Sequence, residues 1–225
     1  MLRSHKVLLG LSQEHLKPFG NGLLEANTLA AFMRMQKAAK RDGIHITPCS
    51  TFRDFHAQQA IWDQKAKGRR PLLDHRNHVV NIQGKTDNEL IDLILLWSAL
   101  PGTSRHHWGT DLDVFDSLAI TAKQLQLIDS EYHETGPCHS LSKWLDAHAK
   151  DYGFYRPYQA GLSGVSPEPW HLSYYPIAKD LLAQFELEHL THMIKQSNIQ
   201  LKQALLPRLK PLVQEYVLRV APPPE

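Results

Sequence analysis

The sequence predicts an α+β fold, and three observations predict it. Apolar residues recur at helical spacing from Leu29 to Arg41, at Leu29, Phe32, Met33, Met35, Ala38 and Ala39. Two short stretches, Ile44-His45-Ile46-Thr47 and Asp111-Leu112-Asp113-Val114-Phe115, alternate apolar with polar residues at the two-residue period of a half-buried strand. The chain has 225 residues, of which 42% are hydrophobic, so it can bury a proper core around both kinds of element.

In chain order, Arg3 and Lys6 precede the apolar run Val7 to Leu11, which is shorter than the about 7 to 15 residues of an export signal. The expected location is the cytoplasm, or the periplasm if a leader has been removed. The helix from Leu29 to Arg41 ends at Gly43, a suitable C-cap, and the strand Ile44 to Thr47 leads into Pro48-Cys49-Ser50-Thr51-Phe52-Arg53. Asp54 caps a second helix running to about Lys67, with Phe55, Ala57, Gln58, Ile61 and Trp62 on its inward and flanking faces. Arg53 thus sits at a strand-to-helix junction.

Gly68 to Lys85 has no period and reads as a long connection. Thr86-Asp87-Asn88-Glu89 is a capping box opening a helix through about Leu100, which Pro101-Gly102 stops. On the strand Asp111 to Phe115, Asp111 and Asp113 share one face while Leu112 and Val114 share the other, so one face is core and the other carries carboxylates. Ser140 to Tyr152 reads as a helix capped by Gly153, and Trp170 to Tyr174 as a short strand. From Pro176 the chain turns helical again. These elements make one domain over 1–225, with a core at about 29–175 and a C-terminal helical appendage at about 176–220.

Charge narrows the function. With 25 basic and 23 acidic side chains there is no field of one sign to steer a polyanion, which argues against nucleic acid and anionic membrane as partners. The longest apolar stretch, Leu90 to Leu100, contains Asp92 and is about half the ~20 residues of a membrane span. Two cysteines, Cys49 and Cys138, cannot build a Cys-rich structural zinc site, so any zinc must use His, Asp or Glu. Cys49 as a nucleophile lacks a histidine specified by the sequence.

Two polar clusters hold the chemistry: Ser104-Arg105-His106-His107-Trp108-Gly109-Thr110-Asp111-Leu112-Asp113 and Pro167-Glu168-Pro169-Trp170-His171. Together they contain what a mononuclear zinc hydrolase needs, namely neutral imidazoles and a carboxylate as ligands and a further carboxylate to take a proton from water. His106, Asp113 and His171 suit the first role and Glu168 the second. Spacing alone also allows His107 in place of His106, and Asp111 in place of Asp113.

The pattern Ser104-x-His106-x-x-Gly109 followed by Asp113, then Glu168-Pro169-Trp170-His171, resembles the D-alanyl-D-alanine metallopeptidases, the VanY-type carboxypeptidases and their dipeptidase relatives. Ser50-Thr51-Phe52-Arg53-Asp54 with Gln58 is similar to the family's Ser-Gly-Tyr-Arg-Ser stretch, and Asp151-Tyr152-Gly153-Phe154 matches a further feature. Asp111 and Thr51 depart from the pattern, which has a small apolar residue and a glycine there. The resemblance spans roughly Leu29 to Tyr175. It implies a fold shared with the hedgehog signalling domain, a mostly antiparallel sheet bearing one zinc ion with helices packed on one side. It also implies zinc ligands at His106, Asp113 and His171, a general base at Glu168 and a transition-state arginine at Arg53. Ser104 and Gln58 then fall near the substrate, a peptidoglycan stem peptide or muropeptide. A dipeptidase, an endopeptidase or a non-catalytic zinc-binding module of the same fold are the alternatives, and retention of Glu168 and Arg53 argues against the last.

Overall fold

The computed structural model describes residues 4–224. The elements run α1 (His5–Leu8), β1 (Leu16–Phe19), β2 (Gly22–Glu25), α2 (Ala26–Arg41), β3 (Ile46–Ser50), α3 (Phe55–Ala66), α4 (Asp87–Leu95), a 3-10 turn at Arg105–Trp108 and β4 (Asp111–Asp116). They continue with α5 (His139–His148), β5 (Phe154–Tyr155), β6 (His171–Tyr174), α6 (Tyr175–Ala183), α7 (Leu187–Gln196), α8 (Lys202–Leu205) and α9 (Leu209–Val213). β1 and β2 form a hairpin, and the main sheet has the order β3-β4-β6-β5 with every neighbouring pair antiparallel.

β4 lies inside this sheet and carries the division of faces read from its alternation. Leu112 and Val114 are fully buried against a core that includes Phe32 and Met35 of α2 and Leu141 and Leu145 of α5. Each such side chain contributes about 1.5–3 kcal/mol on burial, which fixes which face of β4 points inward. Asp111 and Asp113 consequently face the other way. A second apolar cluster joins Trp62 of α3 and Ile91 and Ile94 of α4 to Leu190, Leu205 and Leu212 from the C-terminal helices. The connection between α7 and α8 is tied to α3 directly: Trp62 Nε1 donates to the Gln200 carbonyl (3.0 Å) and Asp63 accepts from the Gln200 amide (2.9 Å). No helix among the described residues is long and apolar enough to cross a membrane.

Boundaries differ from the sequence reading: α2 starts at Ala26, capped by Glu25, where the sequence predicts Leu29, and β6 starts at His171 where the sequence predicts Trp170. β3 starts at Ile46 and runs through Pro48, which a strand tolerates here because β3 is at the sheet edge and its register shifts between Pro48 and Ser50. α4 begins at its capping box as expected but ends at Leu95, and the turn that follows uses the Ile94 carbonyl for both Trp97 and Ser98 amides. The helix before Gly153 divides into α5 and a 3-10 turn at Ala149–Tyr152, closed by Gly153 at φ +83°.

One glycine decides how the site loop meets the sheet. Gly109 ends the turn Arg105–Trp108 at φ +70°, and its carbonyl accepts from the Glu25 amide (2.9 Å). A Cβ there would stand 2.3 Å from Leu16 Cδ2 and 3.0 Å from the Glu25 nitrogen. Gly109→Ala therefore combines a left-handed backbone with overlap, and urea unfolding is expected to show a loss of at least about 2 kcal/mol. A loss within 0.5 kcal/mol of zero, about the size of an ordinary surface substitution, would show that the loop is not tightly held.

Candidate metal centre and active-site cleft

Strand register builds the centre. Asp113 on β4 stands opposite His171 on β6, and Asp111 stands opposite Ser173. Directly opposed residues of an antiparallel pair bring their Cβ atoms to about 4.5–5.5 Å, so two distant parts of the sequence meet through backbone pairing alone. His106 arrives from the turn just before β4, the segment that Gly109 bends back onto the sheet. The possible ligand atoms of His106, Asp113 and His171 all lie within 4.8 Å of one another, and all three residues are buried.

The partners of each ring identify the nitrogen that faces the cluster. His106 Nδ1 lies 2.9 Å from the Thr51 carbonyl, which can only accept, so Nδ1 carries the proton and Nε2 is left facing Asp113 Oδ2 at 3.3 Å. His171 Nδ1 lies 3.0 Å from Asp113 Oδ1, while its Nε2 donates to Asp111 Oδ1, also at 3.0 Å. Asp111 is completely buried and accepts further hydrogen bonds from Arg105 Nε (2.7 Å) and Thr110 Oγ1 (2.6 Å). Arg105 in turn donates to Ser173 Oγ (2.6 Å) and stacks over Trp108, its guanidinium carbon 4.8 Å from the ring centroid. Asp111, which departs from the family pattern, thus orients the His171 ring from behind.

Electrostatics agree with this arrangement. Burial alone would raise the Asp111 carboxyl, but the Arg105 charge and the His171 bond hold it well below the usual carboxylate range. Asp113 is likewise depressed, burial being outweighed by His106 and His171. Burial would lower His171, yet its hydrogen bonds to Asp111 and Asp113 raise it to about 9. A divalent cation fits the donor set: two imidazole nitrogens and a carboxylate oxygen converge, and a cation would take the place of the His171 Nδ1 proton while Nε2–H stays on Asp111.

Glu168 lies beside the cluster without belonging to it. Its Oε2 is 3.6 Å from His171 Nδ1, and burial raises its carboxyl to about 8, the nearby His171 opposing and Asp113 adding to that effect. Arg53 makes no ion pair with Asp54, which instead caps α3 through the Ala57 amide (2.7 Å). Its guanidinium donates to Gln58 Oε1 (2.8 Å) and Ser50 Oγ (2.9 Å), both neutral groups. Arg53, Ser104, His106, Asp113, Glu168 and His171 line one cleft of about 340 Å³. Gln58 does not: its Nε2 donates to the Ala99 carbonyl (2.7 Å), so both ends of its amide are used within the chain and it stands behind Arg53 rather than in the cleft.

His107 takes no part in the centre. Its Nε2 accepts from the Gly102 amide (3.1 Å) and its Nδ1–H donates to the Arg53 carbonyl (2.5 Å), so neither nitrogen is left for a ligand. Cys49 is exposed on β3, its thiol donating to the Asp113 carbonyl (3.4 Å). Sequence reasoning missed Tyr158, whose ring lies 4.8 Å from that of His171, and the cleft residues Lys65, Arg70 and Trp97. Tyr158 lies in an irregular segment with no periodic signal. Lys65, by contrast, stands seven residues after Gln58 on α3, a spacing that marks a shared helix face.

Burial lowers the His107 ring to about 4, against 6.5 in an unfolded chain. Between those values the unfolded chain binds a proton that the folded protein refuses, so stability is complete above pH 6.5 and declines as pH falls towards 4, by at most about 3 kcal/mol from this ring. His107→Asn retains an N–H for the Arg53 carbonyl but cannot titrate. Urea unfolding at pH 7 and pH 4 should show a smaller acid-induced loss for the variant than for the wild type. Equal losses would show that His107 is not the group being protonated.

Comparison with known proteins gives this geometry a family. The VanY family model, D-alanyl-D-alanine carboxypeptidase, matches residues 21–177. A Haemophilus influenzae protein of uncharacterised function is 35% identical over 122 residues, covering 53% of this chain and 93% of that protein. A D-alanyl-D-alanine carboxypeptidase of Enterococcus faecalis is 32% identical over 145 residues, 61% of this chain but only 42% of the enterococcal protein. Among solved structures, the vancomycin-resistance D,D-pentapeptidase VanY of a VanB-type cassette, crystallised with Zn(II), superposes with a TM-score of 0.52 at 25% identity, over 76% of this chain and 86% of that one. With its antiparallel sheet, its flanking helices and the match across 21–177, the chain belongs to the VanY family of D-alanyl-D-alanine carboxypeptidases.

Proposed function

We propose that this chain is a zinc-dependent peptidase of the D,D-carboxypeptidase type, hydrolysing a peptide bond near the C-terminus of a peptidoglycan stem peptide or muropeptide. The observation that carries the reading is the convergence of His106, Asp113 and His171 within 4.8 Å, with the Glu168 carboxylate beside them and outside the ligand group. The Zn(II) held by the VanY relative supports zinc as the ion. A divalent cation bound there would polarise a carbonyl oxygen and lower the pKa of a water towards about 7.

The chain's own residues supply the rest. Glu168 stands beside the ligand group without joining it; the charge of a bound cation would draw its burial-raised carboxyl back to the ionised form, in which it can take a proton from the attacking water and return one to the departing amine. Among the described residues Arg53 forms no ion pair with a carboxylate, so its positive charge is available to a developing oxyanion in the cleft. Gln58 and Ser50 hold the guanidinium in one orientation, which spares the reaction the work of ordering it. Asp111, backed by Arg105, keeps the His171 ring turned so that Nδ1 faces the cluster.

Five variants test the assignment. Glu168→Gln should keep stoichiometric zinc and lose about 10²–10⁴-fold in kcat, measured by release of D-Ala from a synthetic stem peptide. Near-normal turnover would remove Glu168 from the mechanism. His106→Ala and His171→Ala should lose zinc by elemental analysis, whereas His107→Asn should retain it. Arg53→Ala should lower kcat about 10²–10³-fold with zinc content unchanged. A loss of folded protein in place of a loss of rate would make Arg53 a structural residue.

A further inference from the structure

The cleft contains more positive charge than the proposed chemistry uses. Its charged wall residues are Arg53, Lys65 and Arg70 on one side of the balance and Asp113 and Glu168 on the other. Lys65 is half-buried and has no hydrogen-bond or ion-pair partner among the described residues. The charge of Glu168 reaches it without an ion pair forming between them. A half-buried ammonium without a partner is unfavourable, and an anion arriving in the cleft would relieve it. Arg70, nearby in the same wall, spends only its Nε on Gln64 (2.7 Å), leaving the two terminal nitrogens of its fork to a ligand.

Helix α3 sets the distance. Gln58, Ile61 and Lys65 follow one another at helical spacing along one face, and Gln58 is the residue that fixes Arg53. Seven residues of helix advance about 10 Å, and a lysine side chain leans back towards the helix N-terminus, which shortens the span. An extended peptide advances about 3.3 Å per residue, so a peptide laid along α3 from the Arg53 end would meet the ammonium two to three residues from the carbonyl that Arg53 faces. A carboxypeptidase substrate has too little chain beyond the scissile bond to reach that far. The group in question therefore lies on the N-terminal side.

We propose that the substrate carries a second carboxylate two to three residues before the scissile bond, and that Lys65 and Arg70 form the subsite that holds it. The inference rests on the carboxypeptidase reading above and narrows it to anionic peptides.

The test uses synthetic peptides ending in D-Ala-D-Ala that differ only in Glu or Gln at the second or third residue before the scissile bond. The zinc-loaded wild type should favour the acidic peptide by about tenfold or more in kcat/KM, through KM. The zinc-loaded Glu168→Gln protein should show the same preference by calorimetry, in a measurement independent of turnover. Lys65→Gln and Arg70→Gln should each bring the ratio towards one. Equal kcat/KM for the two peptides in the wild type overturns the subsite, as does a ratio that survives in Lys65→Gln, including the case where both peptides slow together because Lys65 acts only on Glu168. If neither peptide is cleaved but Glu168→Gln still discriminates between them, the carboxypeptidase reading fails and the subsite stands.

Discussion

The pairing of β4 with β6 in one register is the constraint on which the centre depends. It sets Asp113 across from His171 and Asp111 across from Ser173, all on the face that the core leaves free. A slip by one residue would exchange Asp113 and Asp111 for Leu112 and Val114 and would turn the acids into the apolar layer. The buried leucine and valine thus enforce the position of the metal-capable carboxylate, although neither touches the cleft.

Two buried carboxylates on one strand would be costly without compensation, and the structure provides it in a chain of contacts. Arg105 neutralises Asp111 and is itself enclosed by Ser173 and Trp108, while His171 bridges Asp111 and Asp113. The same contacts determine which nitrogen of His171 faces inward. The Thr51 carbonyl does the corresponding service for His106, which explains how a residue in an ordinary strand-to-helix turn shapes the centre with its backbone alone. His107, one position along, uses its ring as a backbone brace between Gly102 and Arg53. Neighbouring histidines of equal promise in spacing therefore have opposite tasks.

The other half of the cleft is carried by α3. Gln58 spans from Arg53 to the Ala99 carbonyl in the turn beyond α4, and the connection between α7 and α8 clamps α3 through Trp62 and Asp63. The segment after β6, which matches no motif, thereby stiffens the helix that aims the arginine. Lys65 projects from that same helix, so its backbone is held at a fixed helical spacing from Gln58, the residue that orients the arginine.

Much of this was legible in the sequence. The alternation of Asp111 to Phe115 determined which side chains share a face, the Asp54 and Thr86 caps determined where two helices begin, and the motif residues named the possible ligands. These follow from local rules, since helix and strand periods and capping bonds involve residues only a few positions apart. The choice of His106 over His107, the use of Asp111 as the support of His171, the retreat of Gln58 behind Arg53 and the arrival of Tyr158 and Lys65 in the cleft were decided by tertiary structure alone. Each depends on a partner tens of residues away, such as Thr51 for His106 or Ala99 for Gln58, and no local pattern records which carbonyl will meet which ring once the sheet and helices have packed.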